Sequence, residues 1–294
     1  MMYINYGALA PVAFKSAKLM KLSLGFSPCP NDTFIFHAMI HDKVDTEGLT
    51  FEVHYADVEE LNKGAFNQHL DITKLSYHAF AYAMEHYALL HSGSALGNNC
   101  GPLLIAKTHL TPEDINKAHI AIPGQYTTAN LLLGLAFPDA KHKTSLLFSD
   151  IEDAVLKREV DAGLIIHENR FTYQDKGLVK LMDLGEYWES NFHAPIPLGG
   201  IVIKRNLPKS IQQKVNRVLQ RSVKHAWDYP DHSQSYVAEH AQEMDPKVMQ
   251  QHIDLYVNRF SEDLGTEGIA AIEQLFQTAR SRGVFETPDL PLFI

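Results

Sequence analysis

Residues 51–76 read FEVHYADVEELNKGAFNQHLDITKLS and residues 144–167 read TSLLFSDIEDAVLKREVDAGLIIH, and the two stretches say nearly the same thing. Each opens on a strand-type segment, turns at a small residue followed by aspartate, enters a helix with acids in its first turn, and reaches a second strand. In the first copy the turn is Ala56-Asp57, the helix begins Val58-Glu59-Glu60, and Leu70-Asp71-Ile72 opens the next strand. Ser149-Asp150, Ile151-Glu152-Asp153 and Val160-Asp161-Ala162 take those places in the second. Asp57 and Asp150 are expected as N-caps, because a carboxylate accepts from the unpaired amides of a first helical turn and the helix dipole favours acids there.

The correspondence extends on both sides. LSLGFSPCPNDTFIFHAMI (22–40) and HIAIPGQYTTANLLLGLAF (119–137) are each a short strand, a turn of Pro, Gly or small polar residues, and a helix. GPLLIAKTHLTPEDI (101–115) and GGIVIKRNLPKSI (199–211) are each Gly, an apolar strand, Lys, and a Pro near the next helix start. Three matches in one order imply a duplicated lobe. Because helical crossovers connect parallel neighbours, the fold class is α/β: two lobes, each a mostly parallel sheet flanked by helices, with a cleft between them. The third pair of strands is expected to carry the chain between lobes, giving residues 20–104 and 205–294 to lobe 1 and 105–204 to lobe 2. Residues 1–19 are expected to extend outside the fold, leaving the start at Met1 or Met20. SIQQKVNRVLQRSVKHAW, DPKVMQQHIDLYVNRFSEDLG and TEGIAAIEQLFQTARSRG have helix-period apolar positions. They are expected to pack on lobe 1, with Trp227, Leu255, Tyr256, Phe260 and Phe276 in the core.

Composition narrows the function classes. The chain has 294 residues, 45% hydrophobic and 21% charged, which is ordinary globular material. A net charge of −9 without a dense Lys/Arg stripe argues against a nucleic-acid partner. No apolar run approaches the roughly 18 residues of a membrane span. Two cysteines, Cys29 and Cys100, fit a reducing compartment rather than a disulfide framework, so a cytoplasmic location is expected. The weak apolar patch of the first nineteen residues is followed, not preceded, by its lysines, the reverse of an export signal.

Open α/β sheets bind ligands beyond the carboxyl ends of their strands. Four strand-to-helix turns stand out: Ser27 to Thr33, Lys74 to Tyr77, Gly124 to Thr128, and His167 to Arg170. In the duplication TKLS aligns with LIIH, so Ser76 and His167 approach one cleft from opposite walls. Asn31 is a contact candidate, since an amide both donates and accepts. Cys29 lacks a visible base partner and is set aside as a nucleophile. Lys74 and Ser76 alternate to one side of Leu75, while Thr127 and Thr128 sit at a helix N-terminus suited to a carboxylate. His167 at the end of a buried strand is the candidate general base, an imidazole being able to take a proton near neutral pH. His37 with His41 and His86 with His91 lack the companions of a zinc motif, so no metal is expected.

Together GFSPCPNDTFIF, TKLSYHAF, PGQYTTANLLL and GLIIHENRF resemble the 1,4-dihydroxy-6-naphthoate synthase family of the futalosine route to menaquinone, over essentially residues 20–290. The resemblance implies a two-lobed periplasmic-binding-protein-like fold of type II in a cytoplasmic enzyme. It implies a lyase that converts cyclic dehypoxanthinyl futalosine into the dihydroxynaphthoate, with no metal or organic cofactor. His167 matches the family's proton acceptor; Lys74, Leu75 and Ser76 match one substrate-binding segment and Thr127 with Thr128 another. The expected partner is a small-molecule carboxylate, and a homodimer stays open. Two alternatives are a chorismate dehydratase-like enzyme on the same fold and a solute-binding protein without turnover.

Overall fold

Met20–Phe26 (β1) alternates Lys21 and Ser23 with Leu22 and Leu24, and the two leucines are buried with Phe26. The structure, a computed structural model, describes residues 20–241 and 245–294; the extension expected at 1–19 lies outside the described residues. Strands β1, Leu49–Tyr55 (β2), Ile72–Ser76 (β3), Tyr87–Leu89 (β4) and Ala95–Gly97 (β5) belong to one sheet. Leu103–Ala106 (β6), Ile120–Ile122 (β7), Lys143–Ser145 (β8), Ala162–Ile165 (β9) and Val179–Asp183 (β10) form the other, and Ile196–Lys204 (β11) returns to the first.

The strand orders are β2-β1-β3-β11-β4, with β5 also on β11, and β10-β6-β9-β7-β8. The repeat is therefore topological. β1 pairs in parallel with β2 and β3, as β7 does with β8 and β9. An antiparallel strand then closes each half, β11 on β3 and β6 on β9. Helices Pro30–Ile40 and Val58–Phe66 make the crossovers of the first half, Thr128–Ala136 and Ile151–Leu156 those of the second. The two lobes have the periplasmic-binding-protein-like α/β architecture, with the crossing strands making each sheet mixed.

β6 lies wholly in the second sheet and β11 wholly in the first, so residues 196–204 sit with the first lobe, ahead of the boundaries expected at 104 and 204. The reason is backbone pairing: β11 bonds to β3 on one edge and to β4 and β5 on the other, and cannot be divided between sheets. Asp57 caps its helix, accepting from the amides of Glu59 at 2.8 Å and Glu60 at 3.3 Å. Asp150 does not. A 3₁₀ turn, Phe148–Asp150, puts Asp150 itself in helical backbone (φ −93°, ψ −11°) instead of the extended geometry from which a side chain folds back to cap.

The C-terminal helices Lys209–Asp228, Pro246–Tyr256 and Gly265–Ser281 cover the first sheet. The stretch read as continuous from 245 breaks after Tyr256, where Asn258 caps a separate short helix, Arg259–Glu262, by accepting from Phe260 N at 2.9 Å. Phe260 and Phe276 are core, and Leu255 packs half-buried against it. Trp227 is 38% exposed, because the buried stripe of its helix ends at Ala226 and the next position turns toward solvent. One apolar cluster joins Leu22, Leu24, Phe36, Val218 and Leu219; another runs from Tyr77 and Phe80 of the first lobe through Leu104, Leu132 and Leu164 of the second. Among the described residues no helix is long and apolar enough to cross a membrane.

Candidate active site

The carboxyl ends of β1, β3, β7 and β9 meet across the gap between the sheets. They border a cavity open to solvent on one side, and Asn31, Lys74, Leu75, Ser76, Thr127, Thr128 and His167 all line it. The sequence-predicted residues thus come together on opposite walls, and the lining is mostly apolar between them, through Val58, Ala95, Ile166, Leu198 and Tyr256.

On the first wall, two prolines set the turn that starts the Pro30–Ile40 helix and point Asp32 back into the protein. Asp32 is almost fully buried, and one of its oxygens accepts from Ser27 N at 3.2 Å and Ser27 Oγ at 2.8 Å. The other accepts from Asn31 Nδ2 at 2.9 Å and from the ammonium of Lys74. Lys74 is therefore not a free cation awaiting an anionic ligand: its charge is met inside the wall by Asp32. Ser76 N donates to Asn62 Oδ1 at 3.0 Å, and Asn62 Nδ2 donates to Ser76 Oγ at 3.2 Å, which fixes the strand end.

On the second wall, Thr127 caps the Thr128–Ala136 helix, accepting from Asn130 N at 3.2 Å and donating to Gly124 O at 2.8 Å. Thr128 Oγ1 donates to Leu198 O of β11 at 2.6 Å and accepts from His78 N at 3.3 Å, so it bonds across the lobes. The amides of Thr128 and Ala129, at the start of the helix, have no intrahelical partner, and both residues face the cavity. Tyr126 N is engaged differently. It donates to the Glu59 carboxylate of the first lobe at 3.2 Å, and that carboxyl is pushed up by burial. Glu59 approaches so closely that a Cβ on Gly124 would lie 2.4 Å from its carboxyl carbon.

His167 follows the end of β9 with a left-handed φ of 58°, a conformation costly for a residue bearing a Cβ. The loop behind it is braced: Asn169 Nδ2 donates to the buried Glu152 at 2.5 Å, and Arg170 ties the crossing segment through Gly101 O and Asp183. The imidazole packs edge-on to Phe148 at 4.9 Å and parallel to His252 at 5.9 Å between ring centres. Its nitrogens have no hydrogen-bond partner among the described residues, and part of its surface stays open to the cavity. Burial pulls its pKa down to about 4, against an opposing pull from Glu168. The ring is neutral at pH 7, the form that accepts a proton.

Cys29, His167 and Glu168 bring a thiol, an imidazole and a carboxylate within 4.8 Å of one another. Burial, reinforced by the Glu168 charge, pushes the Cys29 thiol well up, so it stays protonated and is neither an activated nucleophile nor a ready metal donor. Sequence reasoning missed Asp32 as the anchor of Lys74, Glu59 as a cross-lobe acceptor, and His252 with Tyr256 as cavity residues. Asp32 had a signal in its place beside Asn31. His252, one of sixteen histidines on a helix expected only to pack, had none.

A sequence profile for the menaquinone biosynthesis family matches residues 22–281. The chain is 41% identical over 273 residues to a 1,4-dihydroxy-6-naphthoate synthase of Thermus thermophilus, covering 93% of this chain and 99% of that one. It is 43% identical over 268 residues to the enzyme of the same name from Streptomyces coelicolor, covering 90% and 94%. A solved structure of a protein from Archaeoglobus fulgidus superposes with a TM-score of 0.85 at 35% identity, covering 90% of this chain and 98% of that one. An alkanesulfonate-binding protein from Xanthomonas axonopodis, at TM-score 0.68 and 14% identity over 92% and 96% of the chains, shares the fold alone. With the profile spanning most of its length and relatives matched nearly end to end, the chain belongs to the menaquinone biosynthesis family.

Proposed function

We propose that this protein is a cytoplasmic lyase that converts cyclic dehypoxanthinyl futalosine to 1,4-dihydroxy-6-naphthoate, with His167 as the general base. One observation carries the reading: a neutral imidazole from the second lobe shares a single cavity with Lys74–Ser76 and Asn31 of the first, in a chain whose near-full-length relatives are named for that product.

The chemistry follows from the walls. The substrate's aromatic carboxylate is held at the Thr127–Thr128 corner, where the helix's first amides and its dipole favour an anion. Its rings lie against the apolar lining, and Asn31 with Ser76 orients the hydroxylated part. His167 removes the proton that starts elimination, and the sugar-derived fragment departs with no metal or organic cofactor. Closed lobes exclude water from the intermediate. Incubating the purified protein with the cyclic futalosine derivative is expected to generate the naphthoate chromophore, with the product mass confirmed. Absence of product refutes the reading. Turnover of chorismate in a parallel incubation assigns the dehydratase instead, and binding without turnover assigns a solute-binding protein.

A further inference from the structure

Beyond His167 the cavity holds a second imidazole, His252, which has no exposed surface and sits on the Pro246–Tyr256 helix of the first lobe. Its neighbours determine where its hydrogens are. Asn31 Nδ2 donates to Asp32; flipping the amide would set its carbonyl against that carboxylate, so Asn31 Oδ1 faces His252. Oδ1 only accepts. His252 Nε2, 2.9 Å away, therefore carries a hydrogen.

The other ring nitrogen, Nδ1, lies 3.5 Å from Glu168 Oε2 of the second lobe, the outer limit of a hydrogen bond, and among the described residues neither atom has a hydrogen-bond partner. A neutral ring protonated at Nε2 presents only a lone pair at Nδ1. Facing an ionised carboxylate, it would set two acceptors against each other in a buried site, where an unmet pair is most costly. One proton between them removes the conflict, whether written as imidazolium and carboxylate or as imidazole and carboxylic acid.

We infer that a single proton shared by His252 and Glu168 latches the lobes together and, because Glu168 directly follows His167, holds the base in its left-handed backbone conformation. Both are positioning residues, and the inference rests on the reading of this cavity as the catalytic site. Cys29, Asp32, Lys74, His167 and Tyr256 are the other titratable groups facing the pair.

The latch has a proton count. In the open form Glu168 and His252 are apart and meet water, so in alkaline solution they share no proton and closure must take one up. His167 is neutral at pH 8 in both forms and adds nothing to the count. In Glu168→Gln the side-chain amide supplies its own N–H to Nδ1, so the latch survives without a proton.

Calorimetric titration of 1,4-dihydroxy-6-naphthoate at pH 8, in buffers differing in ionisation heat, reads this count. The wild-type chain is expected to take up close to one proton per ligand bound. Glu168→Ala and His252→Ala are expected to bind about tenfold or more weakly with no uptake, and the double variant no worse than either single. Glu168→Gln is expected to regain most of the lost affinity while uptake stays absent. Zero uptake in the wild type, or equal uptake in Glu168→Gln, overturns the latch. If the naphthoate binds no form of the protein, the functional reading falls instead. The latch is then decided without ligand. If a shared proton closes the lobes, X-ray scattering of the free wild type is expected to show a more compact particle at pH 6 than at pH 9 and Glu168→Gln no such change. A wild type that does not change, or an equal change in both, overturns it.

Discussion

His167 and Lys74 differ in how their surroundings set their charge. His167 is kept neutral chiefly by burial, with no hydrogen bond on either nitrogen among the described residues, so a proton acceptor faces the cavity. His167→Ala is expected to retain naphthoate binding and lose turnover about a hundredfold, about 2.7 kcal/mol in the barrier; near-normal kcat would remove the histidine from its role. Lys74 is held by Asp32 with its charge already answered. Asp32→Asn removes one partner of a buried pair, and denaturant unfolding is expected to show a loss of about 3–5 kcal/mol, partly recovered when Lys74→Met is added. A loss under about 1 kcal/mol would place the pair among weak surface bridges. Neither effect was visible in the residue types alone. A lysine beside a serine reads the same whether its partner is a ligand or an aspartate forty-two positions away.

At the scale of elements, the turn after β7 and the Val58–Phe66 helix meet across the cleft. Their contact depends on the missing side chain of Gly124, since any Cβ there would strike Glu59, itself held by Asn62 and Tyr126. Gly124→Ala is expected to cost the closed form about 1–3 kcal/mol and to weaken ligand binding accordingly. X-ray scattering with saturating naphthoate checks it: the variant stays more extended than wild type, and superimposable profiles would show that the helix simply gives way. The strand, turn and helix repeats of both halves were legible in the sequence because hydrophobic period and turn residues are local signals. The failures were local too. Asp150 lost its cap to a 3₁₀ turn, and Trp227 lay one position past the end of a buried stripe.

For the whole molecule, histidines held neutral chiefly by burial give acidification one direction. Burial lowers both His78 and His167 to about 4, so between pH 6.5 and 4 the unfolded chain binds protons that the folded chain refuses. Their folded values lie below the unfolded ones, so stability is complete above pH 6.5 and is lost as pH falls toward 4. Melting temperature is expected to drop between pH 7 and pH 5; an unchanged or higher value at pH 5 would contradict the buried neutral state of both rings. His167 titrates in the same window, so kcat is expected to fall on that acid side.

The sequence by itself determined the duplicated α/β plan, the four loops that face the cleft, and six of the seven residues gathered there, from short-range periodicity applied twice and the rule that ligands meet strand ends, while Leu75 came with the family resemblance. Only the tertiary structure decided that β11 closes the first sheet, that Asp32 answers Lys74, and that His252 meets Glu168 across the gap. Those contacts join residues 42 to 131 positions apart, from Asp32 with Lys74 to Ile203 of β11 with Ile72 of β3, and their energies depend on burial and distance. Neither quantity is written in the order of residues along one strand or helix.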